Sequence, residues 1–230
     1  MNIKSLKDYF TPTELLLWSG SVLFILISFL LFDSSSILSL AASLIGVTSL
    51  IFNAKGNPVG QILMIIFSVM YGIISFSFAY YGEMITYLCM TAPMALIALI
   101  SWLRNPFEGR RSEVTVNHLK SKEYISITIL TIIVTILFYF ILSALNTSNL
   151  IPSTISVATS FFAVMLTYKR SPLFAIAYAS NDIVLIVLWI YASLSDRSYL
   201  SVVICFLIFL INDIYGYINW KKIYRKQNAI

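Results

Sequence analysis

Charge is scarce in this 230-residue chain: Asp, Glu, Lys and Arg together make up 11% of it. That is too little to clothe a water-soluble domain. Histidine occurs once, as His118 in a polar stretch, and no Ser/His/Asp set, metal-binding cluster or phosphate-cradling glycine loop is present. Hydrolytic, metal-dependent and nucleotide-cleaving chemistry lack their usual residues, so the chain reads as no enzyme, with no cofactor and no metal. The two cysteines, Cys89 and Cys205, both fall inside apolar stretches and read as packing residues. The first apolar run lacks a small-residue cleavage site and is followed by further runs, which makes it a retained span and not a removable signal peptide.

What the chain has in excess is apolar surface. Hydrophobic residues make up 59%, aromatics 15%, and the mean hydropathy is +0.89. Stretches of the bilayer-crossing length of about 20 residues recur at 13 to 32, 37 to 53, 58 to 80, 83 to 103, 124 to 145, 151 to 168, 172 to 194 and 199 to 220. The predicted fold class is an all-α polytopic membrane protein with eight transmembrane helices. Turn signals separate them at Asp33 to Ser36, Lys55 to Pro58, Gly82-Glu83, Asn146 to Pro152, Ser171-Pro172 and Ser195-Asp196.

An even number of spans puts both termini on one side. Lys4, Lys7, Lys55, Arg104, Arg110, Arg111, Lys120, Lys122, Lys169, Arg170, Lys221, Lys222, Arg225 and Lys226 fall on that side, and only Arg197 on the other. By the positive-inside bias, both termini of this multi-pass plasma-membrane protein are predicted to be cytoplasmic. The net charge of +5 follows from that bias. Spread over loops and termini, it speaks for topology in membrane lipid and against nucleic acid.

Two polar pairs interrupt the apolar runs, Asn181-Asp182 in the seventh and Asn212-Asp213 in the eighth. A carboxylate so far from water is costly unless something binds it, so these four residues are the first candidates for a site. With a rise of about 1.5 Å per residue, both carboxylates fall within roughly 6 Å of the membrane midplane.

The chain also reads as duplicated. Pro58 opens a helix, a break follows, and the next helix ends at Trp102; Pro172, a break, and a helix ending at Trp220 repeat the pattern, over 44 and 48 residues. The predicted plan is an extra N-terminal helix (1–36), a first three-helix repeat (37–103), a cytoplasmic loop (104–123), a linker helix (124–150), a second repeat (151–222) and a tail (223–230). One linker helix gives both repeats the same orientation, and transporters built from such parallel repeats bind substrate at the repeat interface.

The stretch Phe52-Asn53-Ala54-Lys55-Gly56-Asn57-Pro58-Val59-Gly60-Gln61, then Tyr80-Tyr81-Gly82-Glu83-Met84-Ile85 and Trp102, resembles the first repeat of the PnuC nicotinamide riboside transporters. Asn181-Asp182 and Asn212-Asp213-Ile214-Tyr215-Gly216-Tyr217-Ile218-Asn219-Trp220 resemble the second. The resemblance runs over about 37 to 222. It implies a SWEET-like architecture, and facilitated diffusion of a vitamin precursor that a cytoplasmic kinase then traps by phosphorylation. Asn57 stands where many members have tryptophan, and Phe174 and Tyr178 stand where they have tryptophans, so thiamine, riboflavin or a deoxynucleoside remains an alternative substrate.

Helical spacing places Tyr178, Asp182, Leu185 and Trp189 on one stripe with Asn181 at its edge, and Asn212, Tyr215 and Asn219 on one face of the last helix beside Asp213, Tyr217 and Trp220. Aromatic faces suit a base, and carboxylate or amide groups suit ribose hydroxyls and a carboxamide. A pyridinium cation would favour a nearby carboxylate. Counting from the prolines and tryptophans pairs Asp182 with Ser68 and Asn212 with Met94, so the site is expected to be asymmetric, with Gln61, Tyr71 and Thr91 as the first repeat's polar contributors. A raised proton affinity at either Asp would allow proton-coupled import as an alternative. A protein that binds without transporting, and association into a homo-oligomer, are both left open by the sequence. Trp102 and Trp220 read as interfacial belt residues, Glu83 as a helix-start carboxylate stabilised by the dipole, and Pro93 as a kink in the fourth span.

Overall fold

The computed structural model describes residues 9–33, 36–77, 80–147 and 149–229. The topology and turn residues Lys4, Lys7, Ser34 and Ser35 lie outside these. Among the described residues, eight helices follow in order: α1 (Pro12–Phe32), α2 (Ile37–Ala54), α3 (Val59–Ser77), α4 (Tyr81–Arg104), α5 (Ser121–Ala144), α6 (Leu150–Tyr168), α7 (Phe174–Ser193) and α8 (Leu200–Gln227). All are long and apolar enough to cross a membrane. Within α4, Thr86–Thr91 forms a π-helical turn.

Local chemistry fixes the ends. At α1, Pro12 occupies the first turn, the Thr11 hydroxyl accepts from the Glu14 N–H at 3.2 Å, and the Glu14 carboxylate accepts from the Thr11 N–H at 2.7 Å. This reciprocal cap satisfies two donors that the helix itself cannot. Lys55, at the end of α2, pairs with the buried Glu14 at 3.0 Å and so ties α1 to the bundle. α8 runs seven residues past its expected end at 220 because Lys221, Lys222, Arg225 and Lys226 carry it beyond the apolar length, placing positive charge at the negative end of the helix dipole.

Six helices close a ring: α2 packs on α3, α3 on α4, α4 on α6, α6 on α7, α7 on α8, and α8 back on α2. α1 lies outside against α2 and α8, and α5 lies outside against α6. Their outer faces, with Leu16, Leu23, Phe24 and Leu30 on α1 and Ile125, Ile129, Ile133 and Phe140 on α5, are exposed and suit lipid acyl chains.

The turns joining α2 to α3 and α6 to α7 repeat each other at a constant offset. Gly56 and Arg170 both adopt the left-handed conformation, with φ of 65° and 58°. The Asn57 N–H donates to the Phe52 carbonyl and the Ser171 N–H to the Leu166 carbonyl, both at 3.0 Å. Glycine takes that conformation freely, whereas arginine there costs about 1 kcal/mol. Arg170 is held by its own contacts, Nε donating to the Thr115 carbonyl at 3.1 Å and Nη1 to Ser101 Oγ at 3.2 Å.

The helix ends continue the correspondence. Trp102 Nε1 donates to the Thr167 carbonyl at 3.0 Å, and Trp220 Nε1 to the Asn53 carbonyl at 2.7 Å. One residue earlier in each helix, Ser101 Oγ donates to the Tyr168 carbonyl and Asn219 Nδ2 to the Ala54 carbonyl. This is compatible with two like-oriented three-helix units, α2 to α4 and α6 to α8. The two indoles are 0% exposed and their rings lie 5.5 Å apart, with Phe174 against Trp220 at 4.8 Å. They are not belt residues. Each indole N–H adds a second donor to a helix C-terminal carbonyl that already accepts from a turn N–H, Thr167 from Arg170 and Asn53 from Gly56, a bond that a buried junction offers as well as an interface does.

The 104–123 segment is more than a connecting loop. β1 (Pro106–Phe107) and β2 (Arg110–Val114) pair as a small antiparallel hairpin. The Val114 N–H donates to the Gly56 carbonyl at 2.9 Å, Gln227 Nε2 to the Val114 carbonyl at 3.1 Å, and the Asn117 N–H to the Arg170 carbonyl at 3.0 Å. One segment thus binds both left-handed turns and the end of α8, capping the terminus-bearing end of the bundle.

Candidate functional site

Helix α7 carries Asp182 close to its middle, and α8 packs along α7 with Asp213 facing it. The two carboxyl groups are buried and lie within hydrogen-bonding reach of each other. Asp182 Oδ2 has no protein partner. Two carboxylates in contact repel unless a proton or a cation sits between them. Tyr178, one turn before Asp182, lies beside both acids and reaches Thr167 on α6. From the other unit, Tyr87 in the π-helical turn of α4 comes close to Asp182 and Tyr178. The result is a central acidic pair with two phenols in its electrostatic field, one from each side of the ring of helices.

The asparagines beside these acids point elsewhere. Asn181 Oδ1 accepts from Thr159 Oγ1 at 2.8 Å, Ser160 Oγ at 3.0 Å and Ser156 Oγ at 3.4 Å, which fastens α7 to α6. Asn212 Nδ2 donates to Ser21 Oγ on α1 at 3.0 Å and to the Ile208 carbonyl at 2.9 Å. Tyr215 also turns toward α1, near Thr11 and Glu14, and Asn219 is bonded to the end of α2. The face of α8 shared by Asn212, Tyr215 and Asn219 therefore meets α1 and α2, while the adjacent face bearing Asp213 meets α7.

In the first unit, Gln61 Nε2 donates to Asn53 Oδ1 at 2.8 Å and Thr91 Oγ1 to the Thr86 carbonyl at 3.2 Å. Ser68, which corresponds to Asp182, is fully buried and bonded to the Met64 carbonyl. At these matched central positions the charge is therefore carried by the second unit. Tyr71 and Trp189 lie in an aromatic layer toward the end opposite the termini: Tyr71 stands 4.4 Å from Tyr87 and 6.2 Å from Trp189, and Trp189 stands 5.1 Å from Tyr80.

Sequence reasoning missed Tyr87 and gave Glu83 no part in the site. Tyr87 offered one signal, its position four residues after Glu83 on the same helix face. Glu83 was expected to be a helix-start carboxylate stabilised by the dipole; it stands in the first turn of α4, but it is 1% exposed and has only the Ser156 hydroxyl beside it. The walls formed by α6 and α5 close over the start of α4, with Thr147, Leu142 and Ser153 packed at Gly82.

Pro93 follows directly on the π-helical turn, where the Ala92 N–H donates to the Tyr87 carbonyl five residues back. Widening the helix by one residue accommodates the proline ring and sets the orientation of Tyr87. Pro93→Ala is expected to slow transport several-fold while leaving the melting temperature unchanged or higher. Unchanged transport would remove any role for this turn in gating.

The profile of the family described as nicotinamide mononucleotide transporter matches residues 36–222. The chain belongs to this family. Among curated relatives, the nicotinamide riboside transporter PnuC of Neisseria mucosa is 22% identical over 206 residues, covering 86% of this chain and 77% of the relative. The PnuC of Haemophilus influenzae is 24% identical over 196 residues, covering 83% and 82%. The fold matches a crystal structure of the vitamin B3 transporter PnuC with a TM-score of 0.83 at 22% identity, over 95% of this chain and 94% of that one. A family of transporters accounts for a buried polar centre that offers no set of catalytic residues.

Proposed function

We propose that this membrane transporter imports nicotinamide riboside by facilitated diffusion, with the terminus-bearing end in the cytoplasm and phosphorylation by a kinase there trapping the product. The observation that carries this reading is the facing pair Asp182 and Asp213, with Tyr178 and Tyr87 close enough to feel their charge. A pyridinium ring supplies the positive charge that the acidic pair lacks, the phenol rings offer it π faces, and ribose hydroxyls donate to the carboxylate oxygens. Unit charges about 4 Å apart attract by roughly 4 kcal/mol at an effective dielectric near 20, so a neutral nucleoside would forgo most of the selectivity. Both PnuC relatives, being nicotinamide riboside transporters, point the same way.

The same acidic pair supports a second reading, in which a proton shared by Asp182 and Asp213 is carried with the substrate. Purified protein in liposomes decides between them. Labelled nicotinamide riboside is expected to equilibrate across the bilayer at the same rate and to the same level with or without a proton gradient, and to be competed by excess unlabelled compound. Accumulation driven by the gradient would establish coupling. Uptake displaced only by thiamine, riboflavin or a deoxynucleoside would replace the ligand, and binding without uptake would make this a receptor.

A further inference from the structure

Glu83 is a buried charge that the central site leaves unused. Its carboxylate lies buried at the start of α4 with the Ser156 hydroxyl beside it and no charged partner. Among the described residues every ion pair joins side chains at the terminus-bearing end, Lys55 with Glu14, Arg110 with Glu108 and Glu113, and Lys169 with Glu123. Arg197, the one basic residue predicted at the other end, is exposed and in none of these pairs. An uncompensated carboxylate inside a membrane protein is strongly unfavourable.

Its neighbours share the same deficit. Thr86 Oγ1 is also buried without a protein partner, and Tyr71 Oη and Trp189 Nε1 are buried with no partner other than each other. Tyr71 and Tyr87 both lie in the electrostatic field of Glu83, and Tyr87 also lies in that of Asp182. Along α4, at about 1.5 Å per residue, Glu83 stands roughly 14 Å from the middle of the helix and Tyr87 about 6 Å deeper. Glu83, Tyr87 and the Asp182–Asp213 pair therefore form a descending series from the end opposite the termini to the centre, in which acid and π face alternate.

We propose that Glu83 is a substrate-binding residue, the carboxylate of an outer station that receives the cationic ring of the substrate before it passes Tyr87 to Asp182 and Asp213. The missing counter-charge is then the substrate's own, present only in transit. This rests on the reading that the cargo is a nucleoside-like cation, and it adds a residue and a second binding position to it.

The test compares labelled nicotinamide riboside with its dihydro form, which keeps the ribose and carboxamide but has no ring charge, in liposomes carrying the full chain. Glu83→Gln is expected to raise KM for the cation at least tenfold and to change KM for the neutral form less than twofold. Glu83→Asp, which retains the charge, should raise KM for the cation by a smaller factor. Equal changes for both compounds, or no change for either, would overturn the proposal and leave Glu83 as a packing residue. If Glu83→Gln does not fold, Glu83→Asp carries the same comparison, because a charge-selective loss supports the outer station and a charge-blind one refutes it. Wild-type protein that moves neither compound refutes the functional reading itself, a result separate from any effect of the Glu83 variants.

Discussion

Asp182→Asn is expected to reduce uptake of nicotinamide riboside about 100-fold or more, while Asn181→Ala, its immediate neighbour, should leave uptake per folded molecule within about threefold; a hundredfold is about 2.7 kcal/mol. The contrast follows from where each side chain points. Asp182 faces Asp213 with one oxygen unpartnered, so its charge is available to a ligand. The oxygen of Asn181 is already shared by Thr159, Ser160 and Ser156. Asparagine at 182 nearly preserves shape and removes only charge, so a loss of uptake with an unchanged melting temperature would assign the effect to electrostatics. Alanine at 181 strips three hydroxyls of a common acceptor. Interhelical hydrogen bonds in membranes average about 0.6 kcal/mol, so a loss of about 1–2 kcal/mol of stability is expected. If Asn181→Ala abolished uptake in well-folded protein, the acidic pair would no longer be a sufficient account of the site.

That contrast also marks how much the sequence can say. The eight spans were legible because an uninterrupted apolar run of bilayer length has little use outside a membrane. The repeat was expected because proline and tryptophan recur at matching spacings, and the structure is compatible with it in the matched left-handed residues Gly56 and Arg170, which no composition signal distinguishes. Within the site, helical periodicity correctly grouped Tyr178, Asp182 and Trp189 on the buried face of α7. It gave no partner for that face. Periodicity fixes direction about a helix's own axis and is silent on which neighbour lies there, so Asn212, Tyr215 and Asn219 share a face as expected yet meet α1 and α2 rather than the acidic pair. The extra helix α1 supplies Ser21 to Asn212, a contact that nothing in the repeat pattern foreshadows. The burial of Glu83 was not legible for a related reason: a place at a helix start does not show what packs over it, and α4 begins beneath the packed ends of α5 and α6.

Trp220→Ala should be the most destabilising single change in the chain, costing about 3–5 kcal/mol, the range for truncating a buried tryptophan. Its indole is fully enclosed, touches Trp102 and Phe174, and donates to the Asn53 carbonyl at the end of α2. Trp220→Phe keeps much of the volume but removes one of the bonds to that carbonyl, which still accepts from the Gly56 N–H, a net loss of about 1 kcal/mol. Because Trp102 makes the corresponding bond to the Thr167 carbonyl, Trp102→Phe should lose a similar amount, to within about 1 kcal/mol, a correspondence that unrelated positions have no reason to show. The double variant should lose less than the two single losses together, since the rings are in contact and aromatic pairs couple by about 0.5–1.5 kcal/mol. Denaturation in detergent measures all four proteins. An unaltered melting temperature in Trp220→Ala would return both tryptophans to the lipid interface and break the link between the two units at this end. If the losses match, the same junction that holds α2 to α8 also holds α4 to α6, and both seams of the ring, with the acidic pair between them, are closed at the terminus-bearing end by one tryptophan each.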